Sequence, residues 1–298
     1  MDRYLMINAD DCGSFQCANA AVMELLRNPA SPLTSTTVMP TCSWAPQACK
    51  FAAANPELAM GVHLTFTSEW SNYRWAPVSQ GDTSSLRDEE GYLWHRTEDV
   101  ELHADIEQVK REIRAQIARC KALGMANPSH IDNHMGSLYG IATGRWELLI
   151  ATIEIAAEYH LPFRLPASIA QVDFNNTMLG IGTDAAETIA AAGQVIEFCR
   201  ANGVALPDHL IPNEWGGPQD ESYENFREYL YDLYAGIPCG VTETYLHPAY
   251  ECDELKNATG VWYRRVWEHR IMSDPATKQH IEAHGIKLIN YRQLAQMR

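Results

Sequence analysis

Short runs of apolar and β-branched residues alternate with amphipathic segments along most of the chain. The runs predict eight strands, at residues 4–8, 34–39, 58–67, 129–134, 162–165, 209–211, 241–247 and 286–290. Apolar positions that repeat every three or four residues predict helices at residues 16–27, 45–54, 103–123, 145–160, 184–202, 223–234 and 262–273. Residues 68–102 follow neither period, are rich in polar and aromatic residues, and are predicted to form an insertion loop.

The order of the predicted elements defines the fold class. Strands separated by helices form parallel sheets, because a parallel connection needs a long crossover. Eight such strands favour a closed or nearly closed TIM-like (β/α) barrel with outer helices over an open doubly wound sheet. No linker, low-complexity segment or internal repeat divides the sequence. The expectation is therefore a single α/β barrel domain over residues 1–298, with the aromatic-rich insertion loop at 68–102.

Composition narrows the classes of partner. A formal net charge of −15 without a basic cluster disfavours nucleic acid, because the chain would repel phosphate backbones. Hydrophobic residues make up 46% of the chain, but no run approaches the roughly 18 residues of a spanning helix. We therefore predict no membrane association and a cytoplasmic protein. The eight cysteines form no CxxC pair and are predicted to be reduced and mostly buried. A neutral or cationic small molecule is the expected partner.

Four predicted strands end in polar residues, at the edge where a parallel barrel builds its active site. These strand ends are Asn-Ala-Asp-Asp-Cys-Gly at 8–13, Gly-Val-His-Leu at 61–64, His-Ile-Asp-Asn-His at 130–134 and Glu-Thr-Tyr-Leu-His-Pro at 243–248. Their side chains are the candidate functional residues.

Asp10 and Asp11 close the first strand. Adjacent strand residues point to opposite faces, so the two carboxylates would have different neighbours. One carboxylate would then hold a metal ion while the other acts as a base. The alternative is structural, because Asp before Gly often caps a helix or forms a turn.

His130, Asp132 and His134 occupy alternate positions of the fourth strand and therefore share one face, about 6–7 Å apart per step. A line this long cannot enclose one ion. His134 is nearest the carboxyl end and is the best candidate ligand, while Asp132 and His130 would lie deeper as supporting polar groups. A single strand histidine is ordinarily a hydrogen-bonded core residue, but three ionisable residues on one buried face are costly without partners.

His63 is weak evidence alone and gains weight from Asp11 and His134, which lie at comparable strand ends. Two imidazoles and one carboxylate would leave coordination positions open, as catalytic sites do. Nitrogen and oxygen donors without thiolate fit zinc, manganese, cobalt, iron(II) or magnesium, and the sequence does not choose among them.

His247 shares a strand face with Glu243 and Tyr245. It is either a general acid oriented by Glu243, or part of a capped strand end packed against Tyr245. Trp70 and Trp75 of the insertion loop are either core residues or sugar-stacking residues, because aromatic faces pack well against the C–H faces of sugars.

These strand ends belong to a longer ordered set of motifs, which runs from residue 4 to about residue 294. Beyond the four strand ends above, the set includes Ser-Thr-Thr at 35–37, Arg-Leu-Pro at 164–166 and Gly-Ile-Lys-Leu-Ile-Asn-Tyr-Arg at 285–292. The set resembles the YdjC-like (ChbG/HpnK) carbohydrate deacetylase family in the order of its motifs. The resemblance implies a barrel of seven or eight strands and a homodimer as the assembly.

The resemblance also implies an activity and its residues. One divalent metal ion, commonly magnesium or zinc, would be held by Asp11, His63 and His134. Asp10 would be the catalytic base and His247 the candidate acid. The implied reaction hydrolyses the acetamide of an N-acetylated amino sugar, such as a unit of a short chitooligosaccharide, and releases acetate.

The remaining candidate residues are assigned to the carbohydrate substrate. Arg164 would hold a sugar hydroxyl or position Asp10. The full set of predicted substrate contacts is Arg164, Glu243, Asp132, Trp70 and Trp75. Two other functions fit the same sequence: a sugar-binding barrel without catalysis, and an iron(II) oxygenase with two histidines and one carboxylate. Oxygenases of that kind usually use antiparallel jelly-roll strands, which this sequence does not predict.

Overall fold

The computed structural model describes residues 2–168 and 185–298. Every strand pairing among these residues is parallel, in one sheet of seven strands with the order β4-β3-β2-β1-β6-β5, and β7 pairs with β1. The strands are β1 (Arg3–Cys12), β2 (Ser35–Val38), β3 (Ala59–Leu64), β4 (Ile131–Asn133), β5 (His209–Leu210), β6 (Gly240–Leu246) and β7 (Ile286–Leu288).

Helices surround the sheet and supply most of the connections between strands. They are α1 (Gln16–Arg27), α2 (Ala45–Ala54), α3 (Thr97–His103), α4 (Ile106–Ala122), α5 (Glu147–Glu158), α6 (Ala185–Ala201), α7 (Tyr223–Ala235), α8 (Asp253–Ala258), α9 (Trp262–Ser273), α10 (Pro275–Ala283) and α11 (Tyr291–Met297). Among the described residues, no helix combines the length and apolarity that a bilayer crossing requires.

β1 is the centre of the sheet. β6 pairs with it from Arg3 to Ala9 along one edge. The other edge is shared, because β2 pairs with its carboxyl half and β7 pairs with Arg3–Leu5 at its amino end. β1 is longer than predicted and continues through Asp10 and Asp11 to Cys12. The central strand therefore carries both carboxylates to the carboxyl edge of the sheet.

The segment 162–168 links the two edge strands, β4 and β5. Ile131 N donates to Pro162 O at 2.9 Å, and Phe163 N donates to Ala205 O at 3.0 Å. Ser168 N donates to Asp208 O at 2.9 Å, directly before β5. These bonds carry the curled sheet round from β4 to β5.

The predicted strand at 162–165 was wrong in extent, because only a single bridge between Ile131 and Phe163 forms there. Pro162 and Pro166 lack the amide hydrogens that a regular ladder needs. The sheet is nevertheless a curled half-barrel of parallel strands enclosed by helices. The predicted α/β class with parallel strands and outer helices is confirmed, and the described residues form seven strands rather than eight.

The helix predicted at 103–123 is observed as α4 and begins three residues later, whereas α3 lies almost wholly within the predicted insertion loop 68–102. α3 ends at His103 and α4 begins at Ile106. The break falls at Asp105, whose side chain accepts a hydrogen bond from Gln108 N at 3.0 Å and so caps α4. The predicted helix 184–202 is observed as Ala185–Ala201, and Asp184 lies outside the described residues.

Two kinds of interior meet at the sheet. A large apolar cluster fills the space between the sheet and the helices. The inner face of the sheet is instead polar, and its buried side chains include Asn8, Thr37, Asp132, Arg164 and Glu243. Buried polar groups need partners, so the geometry of this inner face decides what the site can do.

Candidate metal centre and active site

Asp11, His63 and His134 meet at the carboxyl ends of β1, β3 and β4. Asp11 Oδ1 lies 3.4 Å from His63 Nε2 and 3.3 Å from His134 Nδ1. One ligand atom from each residue lies within 4.8 Å of the others, and all three residues are buried. Asp11 Oδ1 accepts no hydrogen bond from the described part of the chain.

A local irregularity in β1 turns Asp11 toward the two imidazoles. The pairing of β1 with β2 shifts register between Ala9 and Cys12, and Asp11 has a φ of 60°. Asp is one of the few residues besides Gly that tolerate this left-handed conformation. The backbone strain is therefore located at the residue that would hold an ion.

Each of the three side chains has a charged partner on the atom that is not offered to the ion. His63 Nδ1 lies 2.7 Å from Asp132 Oδ1, and His134 Nε2 lies 3.0 Å from Glu69 Oε2. Arg265 donates to Asp11 Oδ2 at 2.9 Å. Carboxylates on the outer nitrogens of histidines fix the tautomer and direct the other nitrogen at a metal. The donor set and its partners therefore fit a divalent ion.

The pKa values of His63, His134 and Asp11 are all shifted in the direction that favours the charged form of each side chain. Burial alone would lower the pKa of His63, but Asp132 and Asp11 outweigh it and raise this pKa to about 10. Burial also opposes charge on His134, yet Glu69 and Asp11 raise its pKa to about 9. Burial would raise the pKa of Asp11, while Arg265 and the two imidazoles hold it well below its usual range. The surroundings of these three residues therefore stabilise positive charge at the position that a cation would occupy.

Arg164 organises the second carboxylate of β1. Its NH1 and NH2 groups donate to Asp10 at 2.6 and 2.7 Å. NH2 also lies 2.9 Å from Asp132 Oδ2, and Nε donates to Glu243 at 2.8 Å. The guanidinium group lies 4.5 Å from the centre of the Tyr245 ring. One buried cation thus fixes three carboxylates that come from three different strands.

These contacts set two carboxyl pKa values in opposite directions. Burial would raise the pKa of Asp10, but Arg164 outweighs it and lowers this pKa to about 2. Burial dominates at Glu243 and raises its pKa to about 7 despite the same guanidinium group. Asp10 is therefore ionised throughout the neutral range.

The predicted substrate contacts of Asp132 and Glu243 do not agree with their positions. Both side chains are fully buried. Asp132 is occupied by His63, Thr37 and Arg164, and Glu243 by Arg164 and the Tyr291 hydroxyl. They align other site residues rather than face an opening.

His130 lies deeper in the sheet than His134, in the order that the strand alternation predicts. Its ring stacks on Tyr291 with centroids 3.6 Å apart. A side-chain carbon at Gly61 would lie 2.6 Å from His130 Nδ1, so β3 can pass this ring only with glycine there. His130 is therefore a packing residue below the site.

His247 follows the end of β6 and is half-buried. Its backbone N donates to Glu268 at 2.6 Å, and its ring lies 5.8 Å from Trp215 and 6.0 Å from Tyr245. Nδ1 has no partner among the described residues. Burial lowers the pKa of His247 to about 4, so the imidazole is neutral at neutral pH.

Of the two tryptophans expected to be either core or sugar-stacking residues, Trp75 lies in the core and Trp70 is half-buried. Trp75 is 4% exposed, donates from Nε1 to Thr67 O at 2.7 Å, and places its ring 6.0 Å from that of His134. Trp70 is half-buried and packs 5.3 Å from Phe15. Trp75 thus supports a candidate metal ligand from behind.

Sequence reasoning missed Glu69 and Arg265. Arg265 lies on α9, away from the strand ends whose polar motifs indicate the site. Glu69 lies in a segment without periodicity. The one feature of the sequence that could have indicated it is its position two residues after the predicted strand 58–67.

Comparisons with known proteins agree with this architecture. A family model described as YdjC-like protein matches residues 4–283. A carbohydrate deacetylase of Thermoanaerobacter pseudethanolicus is 29% identical, with 97% of this chain and 98% of that protein covered. A chitooligosaccharide deacetylase of Yersinia enterocolitica is 26% identical, with 98% and 99% covered. A crystal structure of an Enterococcus faecalis protein superposes with a TM-score of 0.74 at 28% identity, covering 99% of both chains.

Proposed function

Because this chain belongs to the YdjC-like protein family, we propose that it is a metal-dependent carbohydrate deacetylase. The substrate is an N-acetylated amino sugar or short chitooligosaccharide, and the products are the free amine and acetate. The names of the full-length relatives support the reaction class. The observation that carries the proposal is the cluster of Asp11, His63 and His134, whose ligand atoms lie within 4.8 Å of one another.

The ion would be held by Asp11 Oδ1, His63 Nε2 and His134 Nδ1. When bound, a divalent ion there polarises an acyl oxygen and lowers the pKa of a coordinated water. Magnesium and zinc are the leading candidates, with manganese, cobalt or iron(II) as alternatives. Two imidazole donors favour zinc, whereas magnesium prefers oxygen ligands.

Asp10 is the proposed base. Arg164 engages both of its oxygens and Asn8 Nδ2 donates to Oδ1 at 2.8 Å, so the carboxylate is held in one orientation. A carboxylate with a pKa of about 2 accepts protons weakly. Its contribution would therefore depend on its fixed orientation more than on its basicity.

His247 is the proposed donor to the leaving amine nitrogen. Burial makes the imidazole neutral at rest, so it enters the cycle with one ring proton rather than two. It must take up a second proton from solvent within the turnover and deliver it to the nitrogen as the C–N bond breaks. Asp10 returns the proton of the attacking water to solvent, so the proton count balances over one hydrolysis.

The remaining expectations stay predictions: a cytoplasmic location, a homodimer, and one domain over residues 1–298. The iron(II) oxygenase alternative loses support, because the curled sheet is parallel. The non-catalytic sugar-binding alternative differs from the proposal only in turnover.

Acetate release tests the proposal. Chelator-stripped protein is reloaded with magnesium, zinc, manganese or cobalt and given N-acetylated mono- to tetrasaccharides. We expect acetate only with a metal and only from certain sugars. Absence of acetate from every pairing, despite bound metal, would contradict the proposal and favour a different acyl substrate or the non-catalytic alternative.

Asp10→Asn divides the roles within the site. We expect turnover to fall by about 10³-fold while metal stays bound, since the removed group is a base and not a ligand. Asp253→Asn changes an exposed aspartate in the same way and serves as the matched control. Loss of metal together with turnover in Asp10→Asn would refute this division.

A further inference from the structure

Glu69 lies against the outer nitrogen of a candidate ligand. Its Oε2 is 3.0 Å from His134 Nε2. The Glu69 side chain is 21% exposed, whereas that of Glu90 in the same segment is 71% exposed. Glu69 therefore faces inward toward the site, whereas Glu90 of the same segment faces solvent.

The backbone on both sides of Glu69 is fixed by hydrogen bonds. Ser68 N donates to Trp94 O at 2.7 Å, and Ser68 Oγ accepts from Trp75 N at 3.0 Å. Glu69 O lies 3.3 Å from His95 Nδ1. The position of this carboxylate is therefore set by the fold of the segment.

Arg74 ties the two halves of that segment together. Its guanidinium group donates to Ser68 Oγ at 3.1 Å and to Leu93 O at 2.8 Å. It also lies 2.6 Å from His95 Nε2, the other nitrogen of the ring that reaches Glu69 O. A chain of contacts thus runs from Arg74 through His95 to the backbone of Glu69.

We propose that Glu69 is a positioning residue of the metal centre: its carboxylate accepts the Nε2 proton of His134 and leaves Nδ1 free to bind the ion. The inference rests on the proposed metal site. It gives residues 68–102 a role in the site, because this segment supplies the carboxylate that orients His134.

The opposite histidine shows the same arrangement built differently. His63 Nδ1 faces Asp132, a fully buried carboxylate of β4, so its Nε2 points toward Asp11. His134 uses its other nitrogen for the ion, and its carboxylate comes from outside the sheet. Each imidazole is therefore oriented by one acid, and only Glu69 belongs to the insertion.

Cobalt affinity measures the contribution of Glu69 without relying on turnover. Glu69→Ala should weaken Co²⁺ binding by about 10- to 100-fold, the usual effect of removing an outer carboxylate partner of a metal-binding histidine. Glu69→Gln retains an acceptor oxygen and should restore part of that loss. Glu90→Gln, a matched change at an exposed position of the same segment, should bind Co²⁺ as the unmodified protein does.

The Nε2 proton of His134 separates positioning from general packing. In Zn²⁺-loaded protein the metal on Nδ1 leaves the proton on Nε2, and ¹⁵N–¹H NMR should show this proton protected from solvent exchange by its hydrogen bond to Glu69. Glu69→Ala should lose this protection, and Glu69→Gln should recover it in part. Unchanged Co²⁺ affinity and unchanged protection in Glu69→Ala would overturn the proposal.

Three outcomes distinguish this inference from the proposed function. If the unmodified protein binds no divalent ion, the metal centre and the role of Glu69 fall together. If it binds Co²⁺ and releases acetate but Glu69→Ala behaves identically, only the role of Glu69 falls. If Glu69→Ala loses affinity while no sugar yields acetate, the role of Glu69 is supported and the proposed reaction fails.

Discussion

Arg164 and Arg74 are two nearly buried guanidinium groups, and each gathers acidic side chains from separate segments. The carboxylates around Arg164 are at most 4% exposed and lie inside the sheet. Arg74 has one buried acidic partner, Asp88, and one, Glu90, that is 71% exposed. The first network is closed to water and the second is open on one side.

The difference separates two uses of a buried charge. Removing several ions from water costs more than their attraction returns unless geometry is excellent, so a closed network is weak evidence of stabilisation by itself. The network around Arg164 holds Asp10 in one orientation near the candidate metal ligand His63. The network around Arg74 holds together distant parts of a segment that has little regular secondary structure, and so determines the conformation of that segment.

Arg164→Met should have the largest effect, because it leaves Asp10, Asp132 and Glu243 without their buried cation. We expect a loss of about 3–5 kcal/mol in the free energy of unfolding and at least a 10²-fold fall in acetate release. Urea denaturation and initial rates measure the two losses. A variant with near-normal stability and activity would show that the network is not what orients Asp10.

Arg164→Lys sharpens the same point through pH. Lysine keeps the charge but loses the two-pronged contact, so the pKa of Asp10 should rise from about 2. A protonated Asp10 cannot act as a base, and an acid limb in kcat/KM should appear at higher pH than in the unmodified protein. An identical pH profile for both proteins would contradict the assignment of Asp10 as the base.

The lowered pKa of Asp10 also predicts the acid stability of the unmodified protein. Its folded-state pKa lies below the unfolded value of about 4. The stabilisation is therefore complete above about pH 4 and is lost as the pH falls toward about 2. Urea midpoints should show a smaller loss over this window in Asp10→Asn than in the unmodified protein.

Arg74→Met should have an intermediate effect and act mainly on stability. It leaves Asp88, which is 7% exposed, without its partner, so we expect a cost of about 2–3 kcal/mol. Acetate release should fall less than in Arg164→Met, and Co²⁺ affinity should fall because Glu69 loses support. A fall in activity as large as that of Arg164→Met would remove the distinction between the two networks.

Glu90→Gln should have the smallest effect. Its exposed contact with Arg74 is screened by water, so the change in the free energy of unfolding should stay below about 0.5 kcal/mol. Thermal denaturation at low and high salt checks this. A larger cost would mean that the Arg74 network is closed in solution.

The strand ends were predictable because alternation and parallel pairing determine which side chains can meet. Asp11, His63 and His134 were chosen on that basis, and they lie together in the structure. The family assignment was confirmed as well. What alternation could not predict was the bulge that turns Asp11, since a local shift in register leaves no periodic trace.

The other omissions have similar physical causes. Arg265 reaches Asp11 from a helix whose periodicity reports burial but not the partner of a buried charge. Glu69 depends on contacts between residues far apart in a segment of irregular backbone. Asp132 and Glu243 were assigned to substrate because the depth of a side chain within a barrel cannot be read from strand spacing alone.

Because β2 and β7 share one edge of β1, that edge is completed late in folding. β1 is made early in synthesis, yet the neighbour of its amino end, β7, follows more than 270 residues later. Until then Arg3–Leu5 present unpaired backbone groups, and Glu243 lacks the hydroxyl of Tyr291 that follows β7. Pairings between such distant segments form slowly and late. The interior of the site is therefore expected to close only after residues 286–291 have left the ribosome.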